Sequence, residues 1–168
     1  MKRLQTTIED SLRISLRGMA SSVAIVSTEL DGTRYGMVAT AVMSVTLEPP
    51  SIAVAINRSA SIHTPLLERG AFVINLLSKE NEDIANGFMA SKGESRFAFG
   101  PWAAHESSEA DLNRLPYLAN AQAAISCRLT DSIRKGTHTL VIGEVIDVIQ
   151  AETFSPLLYC NGTYCSLA

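Results

Sequence analysis

The sequence lacks the short motifs that mark the common nucleotide and nucleophile sites. It has no G-x-G-x-x-G, no P-loop and no G-x-S-x-G elbow. Its three histidines, His63, His105 and His138, are not spaced as metal ligands. These absences argue against a dinucleotide-binding fold, a kinase, a serine hydrolase and a metal centre.

An excess of charge of one sign is also missing. Lys and Arg number 14 against 17 Asp and Glu, a net charge of −3, and no basic stripe is present. Nucleic acid and anionic membranes are therefore not expected partners, and an anionic ligand needs a local site. After Lys2 and Arg3 no export signal follows, and no apolar run is long enough to span a bilayer. We expect a soluble, cytoplasmic protein.

Cysteine is scarce, with three residues and no C-x-x-C spacing. This usage favours free thiols in strands over a disulfide framework or a zinc site. The content of hydrophobic residues, 46%, is that of a globular protein, and 168 residues fit one domain with a sizeable core. We therefore predict a single domain spanning residues 1–168.

Hydrophobic periodicity predicts mostly strands with a few helices. Asp31-Gly32 and Asn161-Gly162 are hairpin-turn signals, and residues 90–116 read as a long loop. Hairpin-linked strands with inserted helices favour an antiparallel sheet that closes into a small barrel flanked by helices. The predicted helices cover 7–18, with Thr7 as the cap, 64–69 and 78–89. The predicted strands cover 23–28, 34–47, 51–57, 71–77, 122–130, 137–150, 157–160 and 163–166.

The segment Asn57-Arg-Ser-Ala-Ser-Ile-His-Thr-Pro65 is the most informative part of the chain. It places an amide, hydroxyls, a guanidinium and an imidazole between a strand and a helix start. With Thr64 as N-cap and Pro65 as first helical residue, backbone N–H groups there would favour a phosphate. An ordinary turn with hydroxyl caps uses the same residues.

Three other features are candidates for ligand contact. The second strand carries hydroxyls on one face, which suit the polar edge of a flat heterocycle or simply a solvated sheet face. His138, at the start of an apolar strand, is placed for ligand contact or proton donation, although a lone His is more often a surface residue. Arg96-Phe97 in the long loop pairs a charge with a ring and could clamp a phosphate and an aromatic system; alternatively, Phe97 packs in the core.

In combination and order, these segments resemble the short-chain flavin reductase family, the reductase components of two-component flavin-dependent monooxygenases. The segments that carry the resemblance are Met19–Thr28, Gly36–Pro50, Asn57–Thr64, Arg96-Phe97, Gly136–Val145 and Pro156–Tyr159. The resemblance implies a mainly β fold, a Greek-key antiparallel split barrel that forms a homodimer. It also implies FMN or FAD as cofactor and NADH or NADPH as hydride donor.

The resemblance further implies which residues form the site. Thr40, Ala41 and Ser44, with the backbone of Val38 and Ala39, would line the isoalloxazine, and His138 matches the family's histidine near the rings. The remaining candidates would hold the ribityl-phosphate end or its surroundings: Asn57, Arg58, Ser59, Ser61, His63, Thr64, Arg96, Phe97 and Tyr164. Met43 stands where the family often has Cys, and the hairpin from Tyr159 to Tyr164 lacks an Arg that members often carry.

Hydride transfer from nicotinamide C4 to flavin N5 requires two stacked rings shielded from water, which is consistent with the missing dinucleotide motif. The resemblance implies that diffusible reduced flavin reaches a partner monooxygenase. Two alternatives stay open on the same barrel: a non-catalytic flavin-binding module and a pyridoxamine-phosphate-oxidase-like enzyme that binds pyridoxal phosphate.

Overall fold

The structure, a computed structural model, describes residues 7–167; Lys2 and Arg3 lie outside the described residues. It consists of three α-helices, twelve strands and two 3-10 helices, Lys79–Asn81 and Gly93–Ala98. The α-helices are α1 (Ile8–Leu16), α2 (His63–Arg69) and α3 (Glu82–Ala90). The strands are β1 (Ser21–Ser22), β2 (Ala24–Leu30), β3 (Thr33–Ala39), β4 (Val42–Leu47), β5 (Pro50–Asn57), β6 (Ala71–Leu76), β7 (Trp102–Ala104), β8 (Pro116–Leu118), β9 (Ala123–Lys135), β10 (His138–Gln150), β11 (Leu158–Cys160) and β12 (Thr163–Cys165).

Seven antiparallel strands form one sheet in the order β3-β2-β6-β9-β10-β5-β4. Its two edge strands, β3 and β4, are consecutive in the chain and are joined by only Thr40-Ala41. The two edges must therefore meet, and the Ala41 carbonyl accepts from the Ala55 N–H at 3.0 Å beside the junction. The sheet thus closes into the predicted barrel. The prediction of one continuous strand over 34–47 is wrong, because closure breaks that strand at Thr40-Ala41.

The barrel interior is filled by the inward-facing residues of its strands. Alternation along each strand sends every second side chain to this core. The fully buried members include Val26, Val54, Ile56, Phe72 and Val141. Ile62 and Leu66 belong to the same cluster, so α2 packs against the barrel core.

Two smaller apolar clusters lie on the outer surface of the barrel. In the first, Phe88 of α3 packs with Phe97 and Trp102, whose rings meet edge-on at 4.8 Å between centroids. The second lies under the 105–118 segment, where Leu112 and Leu115 cover β6 and β9. Within residues 90–116, which were predicted to be a loop, the structure contains the 3-10 helix Gly93–Ala98 and strand β7.

Helix α1 confirms the predicted cap, since the Thr7 hydroxyl accepts from the Asp10 N–H at 3.1 Å. Its apolar face, with Ile8, Leu12 and Leu16, remains exposed in the protomer. Among residues 7–167 no helix is long and apolar enough to cross a membrane. The three cysteines, Cys127, Cys160 and Cys165, are free thiols in strands, as predicted.

Helix α2 differs from its prediction at the N-terminus. It begins at His63 after Ile62, with no side-chain cap, so Thr64 is not the N-cap. The reason is local: the Ala60 N–H donates to the Asn57 carbonyl and the His63 N–H to the Ala60 carbonyl, so a run of turns leads directly into the helix. The predicted end is confirmed, since Gly70 takes the left-handed conformation at φ 69°.

Candidate functional site

The candidate site lies on the outer face of β5 and β10. These strands pair antiparallel, with Leu140 opposite Ala55 and His138 opposite Asn57. Opposed residues share a face, and residues two apart lie on that same face about 6–7 Å from each other. An apolar pair, Ala55 and Leu140, is therefore followed by a polar pair, Asn57 and His138.

A cavity of about 460 Å³ opens over the apolar pair. The strand break at Thr40-Ala41 forms one side of it, and residues Met19 to Ser22 form another. Thr40 and Ala41 are exposed, and Ala55 is small, so no bulky side chain separates a ligand from the backbone here. The cavity can receive a flat ring against the barrel wall.

A second cavity, of about 500 Å³, adjoins the first at Thr40, which lines both. Its walls are mainly apolar and include Val38, Phe88 and Met89, with Tyr159 and Tyr164 from the last hairpin. The two tyrosine rings meet at 5.6 Å between centroids. Burial raises the pKa of Tyr164, and the charges of Tyr159 and Glu82 raise it further, so its hydroxyl stays protonated at neutral pH.

Arg96 lines this second cavity instead of approaching the Asn57–Thr64 segment. Its Nε donates to the Ser91 carbonyl at 3.0 Å and its Nη1 to the Gly36 carbonyl at 2.5 Å. The guanidinium also lies 5.6 Å from the centre of the Phe88 ring. These two hydrogen bonds connect the end of α3 with β3, and they hold Arg96 at the second cavity.

Phe97 corrects a second expectation. Its ring is 5% exposed and packs against Phe88 and Trp102, while Arg34 covers it at 4.6 Å. Because Phe88, Trp102 and Arg34 surround the ring, Phe97 is a core residue and its ring is not accessible for stacking on a ligand. The alternative interpretation from the sequence, that Phe97 packs in the core, describes this structure.

The Asn57–Thr64 segment forms a polar turn at the end of β5. The Asn57 Oδ1 accepts from the backbone N–H and the hydroxyl of Ser59, both at 2.9 Å. Within residues 7–167, the hydroxyls of Ser61 and Thr64 have no protein partner and both residues are exposed. The turn therefore fixes its shape through Asn57 and leaves other hydroxyls free for a ligand.

His63 supports this turn from inside. Its side chain is buried, with Nε2 2.9 Å from the Thr139 hydroxyl, so it does not face a ligand directly. Burial first, then the charges of Arg58 and Arg134, lower the pKa of His63. Arg58 and Arg134 therefore lie near enough to the imidazole to disfavour its protonated form.

His138 is exposed at the beginning of β10. Its Nδ1 lies 2.9 Å from the Thr137 hydroxyl, and its Nε2 has no partner within the described chain. With Nδ1 accepting from Thr137, the Nε2 proton points away from that contact and is available to a ligand. The pairing with Asn57 places His138 at the polar end of the first cavity.

The other residues predicted to contact the flavin ring lie in different surroundings. Val38 lines the second cavity, whereas Ala39 is buried inside the barrel and offers only its backbone. Ser44 is exposed on β4 beside a register shift and lines neither cavity. The segments that sequence reasoning missed are Met19 to Ser22, Ala55, Leu140, Met89 and Tyr159. Only Tyr159 had a usable signal, its position opposite Tyr164 across the Asn161-Gly162 turn.

An antiparallel barrel with a ring-sized cavity beside a polar turn is suited to a flat cofactor with a polar tail. Comparison with known proteins agrees: residues 16–168 match the model of the flavin reductase like domain. The chain belongs to this flavin reductase family. It is therefore an oxidoreductase that uses flavin and a nicotinamide nucleotide.

Three relatives illustrate the similarity. The reductase component of FADH2-dependent resorcinol hydroxylase from Rhizobium sp. (strain MTP-10005) is 35% identical, over 95% of this chain and 87% of the relative. The FMN reductase (NADH) RutF from Pseudomonas syringae pv. syringae (strain B728a) is 35% identical, over 92% and 84%. The solved structure of flavin reductase PheA2 in its native state is 29% identical, with a TM-score of 0.82 over 96% of this chain and 99% of that one.

Proposed function

We propose that this flavin reductase binds FMN or FAD along the outer face of β5 and β10 and reduces it with NADH. The observation that carries the proposal is the change from the apolar pair Ala55 and Leu140 to the polar pair Asn57 and His138 within two residues. The isoalloxazine would lie over Ala55 and the Thr40-Ala41 backbone. The ribityl chain would lead to the turn after Asn57, where its phosphate meets Ser59, Ser61 and Thr64.

The flavin, when bound, supplies the hydride-accepting chemistry, and the protein supplies position and exclusion of water. Thr40 and Ala41 hold the ring edge with backbone groups, since the strand break leaves them exposed. The second cavity joins the first at Thr40, so an apolar ring held among Val38, Tyr159 and Tyr164 lies beside the first one. We assign this cavity to the nicotinamide, because it brings the two rings together at one residue.

His138 acts as a positioning donor in this assignment. Its Nε2 faces away from Thr137 and its strand position places it beside Asn57. A hydrogen bond from Nε2 to the flavin would fix the angle of the ring system. Hydride transfer needs no general base, so His138 is not an essential acid.

The partner follows from the product. The resorcinol hydroxylase relative is named as a reductase component, and the Pseudomonas relative is named as NADH-dependent. We infer that reduced flavin leaves this protein and diffuses to a separate monooxygenase, with NADH as the donor. We place the reaction in the cytoplasm, where NADH is regenerated.

We also infer that the functional unit is a homodimer. Strand β4 exposes Met43, Val45 and Leu47, at 60%, 47% and 84%, directly beyond the first cavity, whose lining includes Met43. The apolar face of α1 is exposed as well. Single exposed apolar residues are ordinary, but an apolar strand face of this kind is buried by a second copy in many symmetric oligomers. The partner copy would then cover the open side of the flavin.

Steady-state assays test the function with FMN and FAD, each against NADH and NADPH. The proposal expects flavin-dependent NADH oxidation, with NADH preferred over NADPH. NADH oxidation that does not depend on added flavin, or none with any pair, would contradict it.

Light scattering at micromolar concentration tests assembly, and a mass of one protomer would contradict the dimer.

A further inference from the structure

Methionine is concentrated at the two candidate cavities. The chain has five methionines, and the four within residues 7–167 all line one of these cavities: Met19 and Met43 the first, Met37 and Met89 the second. Thioethers make favourable contacts with aromatic rings and adapt their shape to a ligand, so this arrangement suits the binding of flat rings. Thioethers are also readily oxidised to sulfoxides. Ring binding and sensitivity to oxidants therefore coincide at the same cavities.

Met89 differs from the other three methionines in its hydrogen bonding. It lies near the end of α3, and the Tyr164 hydroxyl of β12 donates to its Sδ at 3.9 Å. Within residues 7–167 no other methionine sulfur accepts a hydrogen bond. Met89 is 55% exposed, whereas Met37 is partly buried against the barrel core. The Met89 sulfur is thus open to a small molecule in the second cavity and has a hydroxyl donor beside it.

The reaction of this family supplies an oxidant next to Met89. Reduced flavin that no oxygenase consumes passes two electrons and two protons to dioxygen, which becomes hydrogen peroxide. In the proposed arrangement the two cavities adjoin at Thr40, so the second cavity opens beside the flavin ring once the oxidised nicotinamide has left. The flavin itself covers Met19 and Met43 in the first cavity. Peroxide released at the ring therefore reaches Met89 before the other methionines.

We propose that Met89 is the site at which hydrogen peroxide from the enzyme's own reduced flavin oxidises the protein, and that the resulting methionine sulfoxide slows further NADH oxidation. The inference rests on the proposed placement of the flavin and the nicotinamide. The Met89 sulfur attacks one peroxide oxygen, so that an S–O bond forms, the O–O bond breaks and the sulfur loses two electrons. The departing hydroxide takes the Tyr164 proton and leaves as water. The proton on the sulfur-bound oxygen then returns to the Tyr164 oxygen.

The sulfoxide changes the chemistry of the second cavity. Its oxygen is a hydrogen-bond acceptor that the Tyr164 hydroxyl reaches from its present position. The neighbouring walls include Val38 and Phe88, which offer it no polar side-chain partner. A polar oxygen held there takes space from the nicotinamide ring and leaves the first cavity unchanged. We therefore expect KM for NADH to rise about 10-fold and the dissociation constant of FMN to change less than about 2-fold.

The test is turnover of the wild-type protein with FMN and NADH in air and in the dark, without an oxygenase, followed by peptide mass spectrometry. An identical sample without dioxygen is the control, since it forms no peroxide. Exposure alone would favour Met19, which is 62% exposed, over Met89. We expect sulfoxide at Met89 to exceed that at Met19 by about 5-fold or more in air, and to be absent without dioxygen.

Three variants assign the effect to its residues. Met89→Leu removes the sulfur and keeps an apolar side chain of similar size, Met19→Leu is the matched control, and Tyr164→Phe removes only the hydroxyl. Each variant is compared with its own rate before exposure to air. The rate should fall with time in wild type and in Met19→Leu and should hold in Met89→Leu. In Tyr164→Phe, sulfoxide at Met89 should form about 2–10-fold more slowly, the worth of one hydrogen bond in the transition state.

Reversal of the loss separates methionine oxidation from cysteine oxidation. Methionine sulfoxide reductase should restore the rate, and a thiol reductant alone should not. Recovery with the thiol reductant alone would overturn the inference, because the oxidised group would then be Cys160 or Cys165. Equal sulfoxide at Met19 and Met89, a loss of rate that persists in Met89→Leu, or sulfoxide at Met89 with an unchanged KM for NADH would also overturn it.

Failure of the proposed function has a different signature. In that case no flavin supports NADH oxidation by the fresh wild-type protein, before any exposure to peroxide. Failure of the present inference leaves that initial turnover intact and removes only the selective oxidation of Met89 or its effect on KM.

Discussion

The two faces of β5 and β10 differ in burial and in what their side chains contact. The inward residues Val54, Ile56 and Val141 are completely buried in the barrel core. The outward residues Ala55, Leu140 and Asn57 are only partly buried and line or adjoin a cavity. One pair of strands thus supplies stability with one face and ligand contact with the other, so substitutions on the two faces should change different measurements.

The largest expected effect is on the inward face. Ile56→Ala should lower the free energy of unfolding by about 2–5 kcal/mol, since it removes buried methyl groups and leaves a cavity. Leu140→Ala, on the outward face of the neighbouring strand, should cost less because its side chain is already partly in solvent. Urea denaturation of both variants makes the comparison, and an equal loss would show that the two faces do not differ in this way.

The next effect concerns rate and not stability. His138→Ala should slow single-turnover reduction of FMN by NADH by about 10–100-fold, the loss of one contact worth roughly 1.4–2.7 kcal/mol in the transition state. Its unfolding free energy should stay close to wild type because the side chain is exposed. A wild-type rate in the folded variant would remove His138 from the site.

A third change fills the first cavity. Ala55→Phe places a ring where the flavin ring is proposed to lie. Because the new side chain occupies that space, FMN binding should weaken by about 10-fold, which corresponds to roughly 1.4 kcal/mol. Ala55→Ser, which keeps the floor open, is the control. Fluorescence quenching by FMN measures both, and unchanged affinity in Ala55→Phe would exclude this cavity.

The smallest expected effect is the pH dependence of stability. Burial lowers the pKa of both His63 and His105, against an opposing effect of Asp147 on His105, so the fold favours their neutral forms. The unfolded chain takes up these protons first as pH falls through the ordinary value of 6.5. The histidine contribution to stability should therefore be complete above pH 6.5 and should decrease below it.

Thermal unfolding from pH 7.5 to 5.5 checks this slope. The variants His63→Gln and His105→Gln should each flatten it. A slope that stays unchanged in both variants would assign the pH dependence to other groups.

The sequence correctly predicted the two hairpin turns and the helix ends that depend on residues close together in the chain. Asp31-Gly32 and Asn161-Gly162 form the expected hairpin turns, with positive φ at all four residues, because few other residues tolerate that conformation. Thr7 caps α1 and Gly70 ends α2 for similarly local reasons. Each of these features is decided within about four residues of the chain.

The features that the sequence did not predict depend on long-range contacts. The break at Thr40-Ala41 exists because β3 and β4 occupy opposite edges of a sheet that closes on itself. Ala55 and Leu140 become neighbours only through the pairing of β5 with β10, 85 positions apart, which no local pattern encodes. Phe97 was a candidate for ligand stacking, and tertiary packing against Phe88 and Trp102 made it a core residue.

A crystal structure of the protein with FMN tests the central claim most directly. The account predicts the isoalloxazine over Ala55 and the Thr40-Ala41 backbone, with the phosphate at Ser59 and Ser61. A flavin bound elsewhere, or one whose phosphate points away from the turn after Asn57, would contradict it.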